Sequence, residues 1–139
     1  MALRALHVFM ALGLAATGCL QRSLPVPPPS VTSQSIEECP ASECPDGGVV
    51  VTFVGEAFPL AEVILEDRTP LTVGPRGEVL GGVARADATG AWRFTLTPQR
   101  DLATGAVRAP RRGDTVSIYQ VTAPPDSEVS GVREVVVGR

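Results

Sequence analysis

The chain carries three cysteines, a single histidine at position 7 and a scatter of carboxylates, and these bound the chemistry open to its 139 residues. Beyond His7 there is no imidazole to act as a general base or a metal ligand, which removes most hydrolase mechanisms. A pair of carboxylates can cleave a glycosidic bond, but Glu56, Glu62, Glu66, Asp67 and Glu78 all stand in contexts indistinguishable from a solvated strand edge. Gly74-Pro-Arg-Gly77 and Gly81-Gly82 precede β-prone runs, not helices, so neither is a phosphate cradle. The expectation is a protein that is not an enzyme, with no cofactor and no metal. A formal charge of −3 gives no field that would gather nucleic acid. All basic side chains except His7 are Arg, with no Lys and no Asn, a bias that a GC-rich genome explains.

The first of the three cysteines, Cys19, belongs to the N-terminus. Arg4 supplies a short positive start, Val8 to Ala16 is an apolar run broken by Gly13, and small residues precede the cysteine. Such a run is too short to span a bilayer, which needs about 20 apolar residues. Leu14-Ala15-Ala16-Thr17-Gly18-Cys19 resembles a bacterial lipoprotein lipobox. That resemblance implies that residues 1–18 are a signal peptide and that Cys19 is lipidated and becomes the mature N-terminus. Ordinary secretory cleavage is the competing reading. Leu20 is not the Asp that commonly retains lipoproteins at the inner membrane, so the outer membrane is the expected address.

With Cys19 consumed by lipid, Cys39 and Cys44 are an even pair in an oxidising compartment, and four intervening residues allow a small disulfide loop. The sharper alternative is a redox or metal-responsive pair, with Glu37, Glu38, Glu43 and Asp46 as further ligands. Arg100, Arg108, Arg111 and Arg112 gather in one long loop, as a solvated surface or as a contact for anionic sugars, lipid head groups or another partner. Asp87 reads as a turn former rather than a calcium ligand. Trp92, on an alternating strand, reads as core rather than as a sugar-stacking platform.

Three segments must position these groups. After the signal, residues 19–47 are read as a tether and neck: Gln21 to Gln34 is rich in proline (Pro25, Pro27, Pro28, Pro29), which favours polyproline II and a semi-rigid spacer, and Cys39 and Cys44 form the neck. Residues 48–139 are read as one β-domain. Val49 to Val54, Ala61 to Leu65, Val79 to Ala86, Trp92 to Leu96, Thr115 to Thr122 and Arg133 to Val137 are the expected strands, and Asp87-Ala-Thr-Gly90 is a tight hairpin turn. No segment keeps a helical period, since Gln99 to Arg108 contains Gly105 and lies between Pro98 and Pro110.

The run Val51-Thr-Phe-Val-Gly55, the alternation Ala61-Glu-Val-Ile-Leu65, and Asp87-Ala-Thr-Gly90-Ala-Trp92-Arg-Phe94 together resemble a bacterial Ig-like domain. The resemblance implies an Ig-like β-sandwich with a structural or adhesive role; a transthyretin-like or carboxypeptidase-regulatory sandwich shares the same features. A lone copy behind a lipid anchor is expected to be an envelope module that binds a neighbouring envelope protein or a polysaccharide. The second expectation is a periplasmic accessory or sensor using the Cys39 and Cys44 pair.

Overall fold

The computed structural model describes residues 24–69 and 80–139. The strands are β1 (Ser30–Glu38), β2 (Val49–Glu56), β3 (Glu62–Asp67), β4 (Leu80–Arg85), β5 (Ala91–Leu96), β6 (Gln99–Arg100), β7 (Val107–Arg108), β8 (Thr115–Val121) and β9 (Arg133–Val136), and no helix occurs among the described residues. The signal peptide, Cys19, Gly74 to Gly77, Glu78 and Val79 lie outside them. Every pairing is antiparallel.

Two sheets, β1-β2-β5 and β4-β3-β8-β9, bury their inner faces against each other, with β6 and β7 as a separate small hairpin. The protein is therefore an all-β sandwich. An Ig constant-type sandwich divides its strands ABED and CFG; here the fourth strand pairs with the third, giving three strands against four.

Alternation decides which residues meet in the middle. β2 contributes Val49, Val51 and Phe53, β3 Val63 and Leu65, β5 Trp92 and Leu96, and β8 Val116 and Ile118, all buried. Fully burying a side chain of this size stabilises by roughly 1.5–3 kcal/mol, so a core poor in aromatics still suffices. Trp92 is core, as its alternation implied. It faces Gly55 across the β2–β5 pair, and a Cβ at Gly55 would lie 2.8 Å from the indole and 1.9 Å from the Ser30 carbonyl. That close approach requires glycine.

The structure corrects the reading of residues 30–47 as tether and neck. Ser30–Glu38 is an edge strand paired with β2 along its whole length, from Ser30 opposite Glu56 to Glu38 opposite Val49. The register shifts between Val31 and Ser33. This bulge changes the parity of the strand, so Val31 and Ile36, five positions apart, both pack on the core. The period of two is hidden by that shift and by the polar residues between. The prolines stop at Pro29, where nothing further forbids a strand.

The chain before β1 is also held. Gln120, 2% exposed, donates from Nε2 to the Pro27 carbonyl at 2.7 Å and accepts the Phe58 N–H on Oε1 at 2.8 Å. Arg133 Nε donates to the Pro29 carbonyl at 2.8 Å, and the Gly131 N–H to the Val26 carbonyl at 3.3 Å. Further along, the Gln34 Nε2 donates to the Val136 carbonyl at 3.1 Å and its Oε1 accepts the Gly138 N–H at 3.1 Å. Residues 26–38 thus run along the seam where the first sheet meets β9.

Replacing Gln120 with Leu keeps the volume but strands the Phe58 N–H and the Pro27 carbonyl. A loss of about 1–3 kcal/mol is expected, read as a lower urea midpoint at unchanged slope, whereas the exposed Val83→Ala stays within about 0.5 kcal/mol.

Candidate functional site

Antiparallel pairing sorts the connections into two ends. At one end the chain enters at Pro29, and the β2–β3, β4–β5 and β8–β9 connections join it. At the other lie the β1–β2 connection, the end of β3 and the start of β4, the β6–β7 hairpin and Arg139. Cys39, Cys44, Arg100, Arg108, Arg111 and Arg112 all fall at this second end, which is the candidate site.

Cys39 and Cys44 form a disulfide with Cα atoms 5.9 Å apart. It closes the β1–β2 connection inside the domain, not a neck outside it. The Cys39 N–H donates to the Gly48 carbonyl at 3.0 Å, and the Glu43 and Cys44 N–H groups both donate to the Pro40 carbonyl at 2.9 Å. Cys44 is 2% exposed, and its sulfur lies beside Gly48 and Ala109. An attacking thiolate can therefore reach the bridge only from the Cys39 side. Among the described residues no group of three His, Cys, Asp or Glu is placed to hold a metal ion.

The arginines do not make one open cationic patch. Arg112 donates from Nη2 to Glu38 Oε1 at 2.9 Å and from Nε to the same oxygen at 3.2 Å. Arg111 Nη2 donates to the Asp46 carbonyl at 3.1 Å, and Arg100 Nη1 to the Gly105 carbonyl at 2.9 Å. Arg108 is half-buried in β7. Arg111 and Arg112 thus strap the β7–β8 connection to the disulfide loop. Arg112 and Glu38 are both exposed, so their pair is worth under about 1 kcal/mol. A hollow of about 310 Å³ between the disulfide loop and the hairpin is lined by Ser42, Glu43, Val50, Pro98, Arg100 and Val107.

Sequence reasoning missed a pair of buried carboxyls at this same end. Asp67 is 0% exposed and Asp114 5%, and Asp67 is among the groups that raise the Asp114 carboxyl. Asp67 Oδ1 accepts the Thr69 N–H at 3.0 Å, and Asp114 Oδ2 accepts the Arg111 N–H at 2.9 Å. Burial, the hydrogen bond with Asp67 and its charge push the Asp114 carboxyl up to about 6. The signal for Asp67 was its phase, since it follows Val63 and Leu65 on the inward face of β3. Asp114 carries no such mark, because the contact depends on the pairing of β3 with β8.

At the opposite end, the Asp87 turn is as read. Asp87 Oδ1 accepts the Thr89 N–H at 2.8 Å and the Ala91 N–H at 3.0 Å, and Gly90 has φ of 92°.

Compared with known proteins, the chain matches no family model, no curated protein and no solved structure.

A carboxyl whose pKa is raised on folding binds its proton more tightly in the folded state. Its stabilisation is complete below the unfolded value of 3.8 and is lost as pH rises through about 6. Asp87 and Asp101, lowered by their turn hydrogen bonds, act in the opposite sense but only below 3.8. The only His is His7, so no imidazole of the domain masks the interval from pH 4 to 7. The melting temperature is expected to fall across that interval, and Asp114→Asn is expected to flatten the fall. An undiminished slope in the variant would contradict the assignment of this dependence to Asp114. Separately, replacing both Cys39 and Cys44 with Ala is expected to cost roughly 2 kcal/mol by loop-closure entropy, read by urea unfolding.

Proposed function

We propose that the chain is an exported lipoprotein, acylated at Cys19, whose β-sandwich is an Ig-like, non-catalytic envelope module. The observation that carries this reading is the conjunction of two features. Small residues lead directly into Cys19 behind a short apolar run, and the only other cysteines are joined to each other. Disulfides persist in oxidising compartments and are rare in the cytosol, so the bridge supports export independently of the N-terminal pattern. A single acyl chain binds membranes only marginally, whereas two or more hold a protein stably at about 0.8 kcal/mol per buried CH₂. The outer membrane is the proposed address.

The non-catalytic reading draws on the burial of the Asp67 and Asp114 pair and on the lack of any imidazole past His7. Neither carboxyl is presented on the surface to a substrate. The domain is proposed to bind a second envelope protein or a polysaccharide through the disulfide end, where exposed Arg100, Arg111 and Arg112 are already oriented by their hydrogen bonds. Because the anchor joins the opposite end, these arginines point away from the anchoring lipid, and its head groups are not their partner. The burial of Cys44 favours a structural bridge over the redox-sensor alternative.

Fractionation of cells producing Cys19→Ser tests the reading. The parent is expected in the membrane pellet and the variant in the soluble fraction, with the melting temperature of the domain unchanged. A variant that stays with the membranes contradicts lipid anchoring through this thiol.

A further inference from the structure

We propose that the entry end of the sandwich seats on the lipid surface that anchors it, through Phe58 and Leu60 of the β2–β3 connection, Leu24 and Val129. This rests on the acylation of Cys19. Of the large apolar side chains exposed among the described residues, these four stand at this end, with exposures of 43%, 47%, 88% and 65%, together with Val132 of the β8–β9 connection at 59%. Phe58 forms a wall of two adjoining hollows. One, of about 300 Å³, lies against Pro27, Pro28 and Ala57; the other, of about 720 Å³, against Leu24, Pro25, Ala123 and Pro125.

Two observations give this surface a lipid as its occupant. The first is reach. Leu24 is five residues from Cys19, at most about 18 Å of extended chain, and from Val26 onward the chain is fixed to the sandwich by Gly131, Gln120 and Arg133. A tether this short holds the entry end beside the bilayer and keeps the disulfide end away. The second is Leu60, whose φ of 60° is the left-handed conformation that leucine disfavours. Its N–H donates to the Asp87 carbonyl at 3.1 Å, so the β4–β5 turn fixes that conformation while about half of the residue remains exposed. Gly or Asp adopts such a conformation at less cost, and a leucine there offsets part of that cost where it has an apolar phase to enter.

The charges at this end select the kind of surface. Glu56, Glu62, Asp87, Asp126 and Glu128 outnumber Arg85 and Arg133, so zwitterionic phospholipid is favoured over an anionic leaflet.

The test uses the full acylated protein in phosphatidylcholine vesicles whose chains carry bromine near the glycerol. Phe58→Trp and Leu60→Trp supply probes at the entry end and Leu102→Trp, at the hairpin tip with Leu102 97% exposed, supplies one at the far end. Emission of the parent, from buried Trp92, is the baseline. The two entry-end variants are expected to lose emission to bromine while Leu102→Trp keeps its own. If the protein floats with the vesicles but neither entry-end variant is quenched, or all three are quenched equally, the seating is wrong although the anchor stands. Entry-end probes shielded from bromine, in a protein that crosslinks as a dimer on the vesicles, would assign the surface to a second copy and also overturn the proposal. Failure to float at all would instead remove the anchor on which the proposal rests.

Discussion

The structure depends on how the segment from Val26 to Glu38 is bound along the open seam of the sandwich. A three-stranded and a four-stranded sheet facing each other leave backbone groups at their edges that must be paired or covered. Here a bulged edge strand and two inward-turned amides do this. Gln34 ties the first sheet to the backbone after β9, and Gln120 ties the entering chain to the β2–β3 connection. Each amide is satisfied by backbone partners from distant parts of the chain, so the contacts form only when both sheets are in place. They join the two sheets into one unit.

That seam fixes the polarity of the molecule. Because the chain enters at the end defined by Pro29 and leaves at Arg139 by the other, everything built on the β1–β2 and β5–β8 connections projects away from the point of entry. The disulfide and the arginine straps both tie the loops of this far end to one another. Their shared effect is to hold loops in one conformation, which lowers the entropy lost when a partner binds. A rigid loop cluster at one end of the sandwich is the arrangement that the proposed recognition role needs.

What was legible in the sequence follows from what is local. β2, β3 and β5 announced themselves through the alternation of Val51 and Phe53, of Val63 and Leu65, and of Trp92 and Leu96, and Asp87 to Gly90 through turn chemistry. β1 did not, because its bulge moves Val31 and Ile36 onto one face at an odd spacing and its other residues are polar. The prolines just before it read as a spacer, whereas the carbonyls of Val26, Pro27 and Pro29 are hydrogen-bonded to the sandwich. The arginine cluster was legible as a cluster but not as a set of straps: Asp46 and Glu38 are 65 and 74 residues away from their partners, and only the β1–β2 connection brings them near. The acidic pair was half legible, through the phase of Asp67.

The proposed lipid anchor is the element on which the proposed orientation and function both turn, and the mass of the mature N-terminal peptide reports it directly. Protein extracted from membranes with detergent and digested is predicted to yield a peptide beginning at Cys19 that carries a diacylglyceryl thioether, with no peptide from residues 1–18. A peptide retaining Met1, or an unmodified N-terminus created at any other residue, would contradict the account.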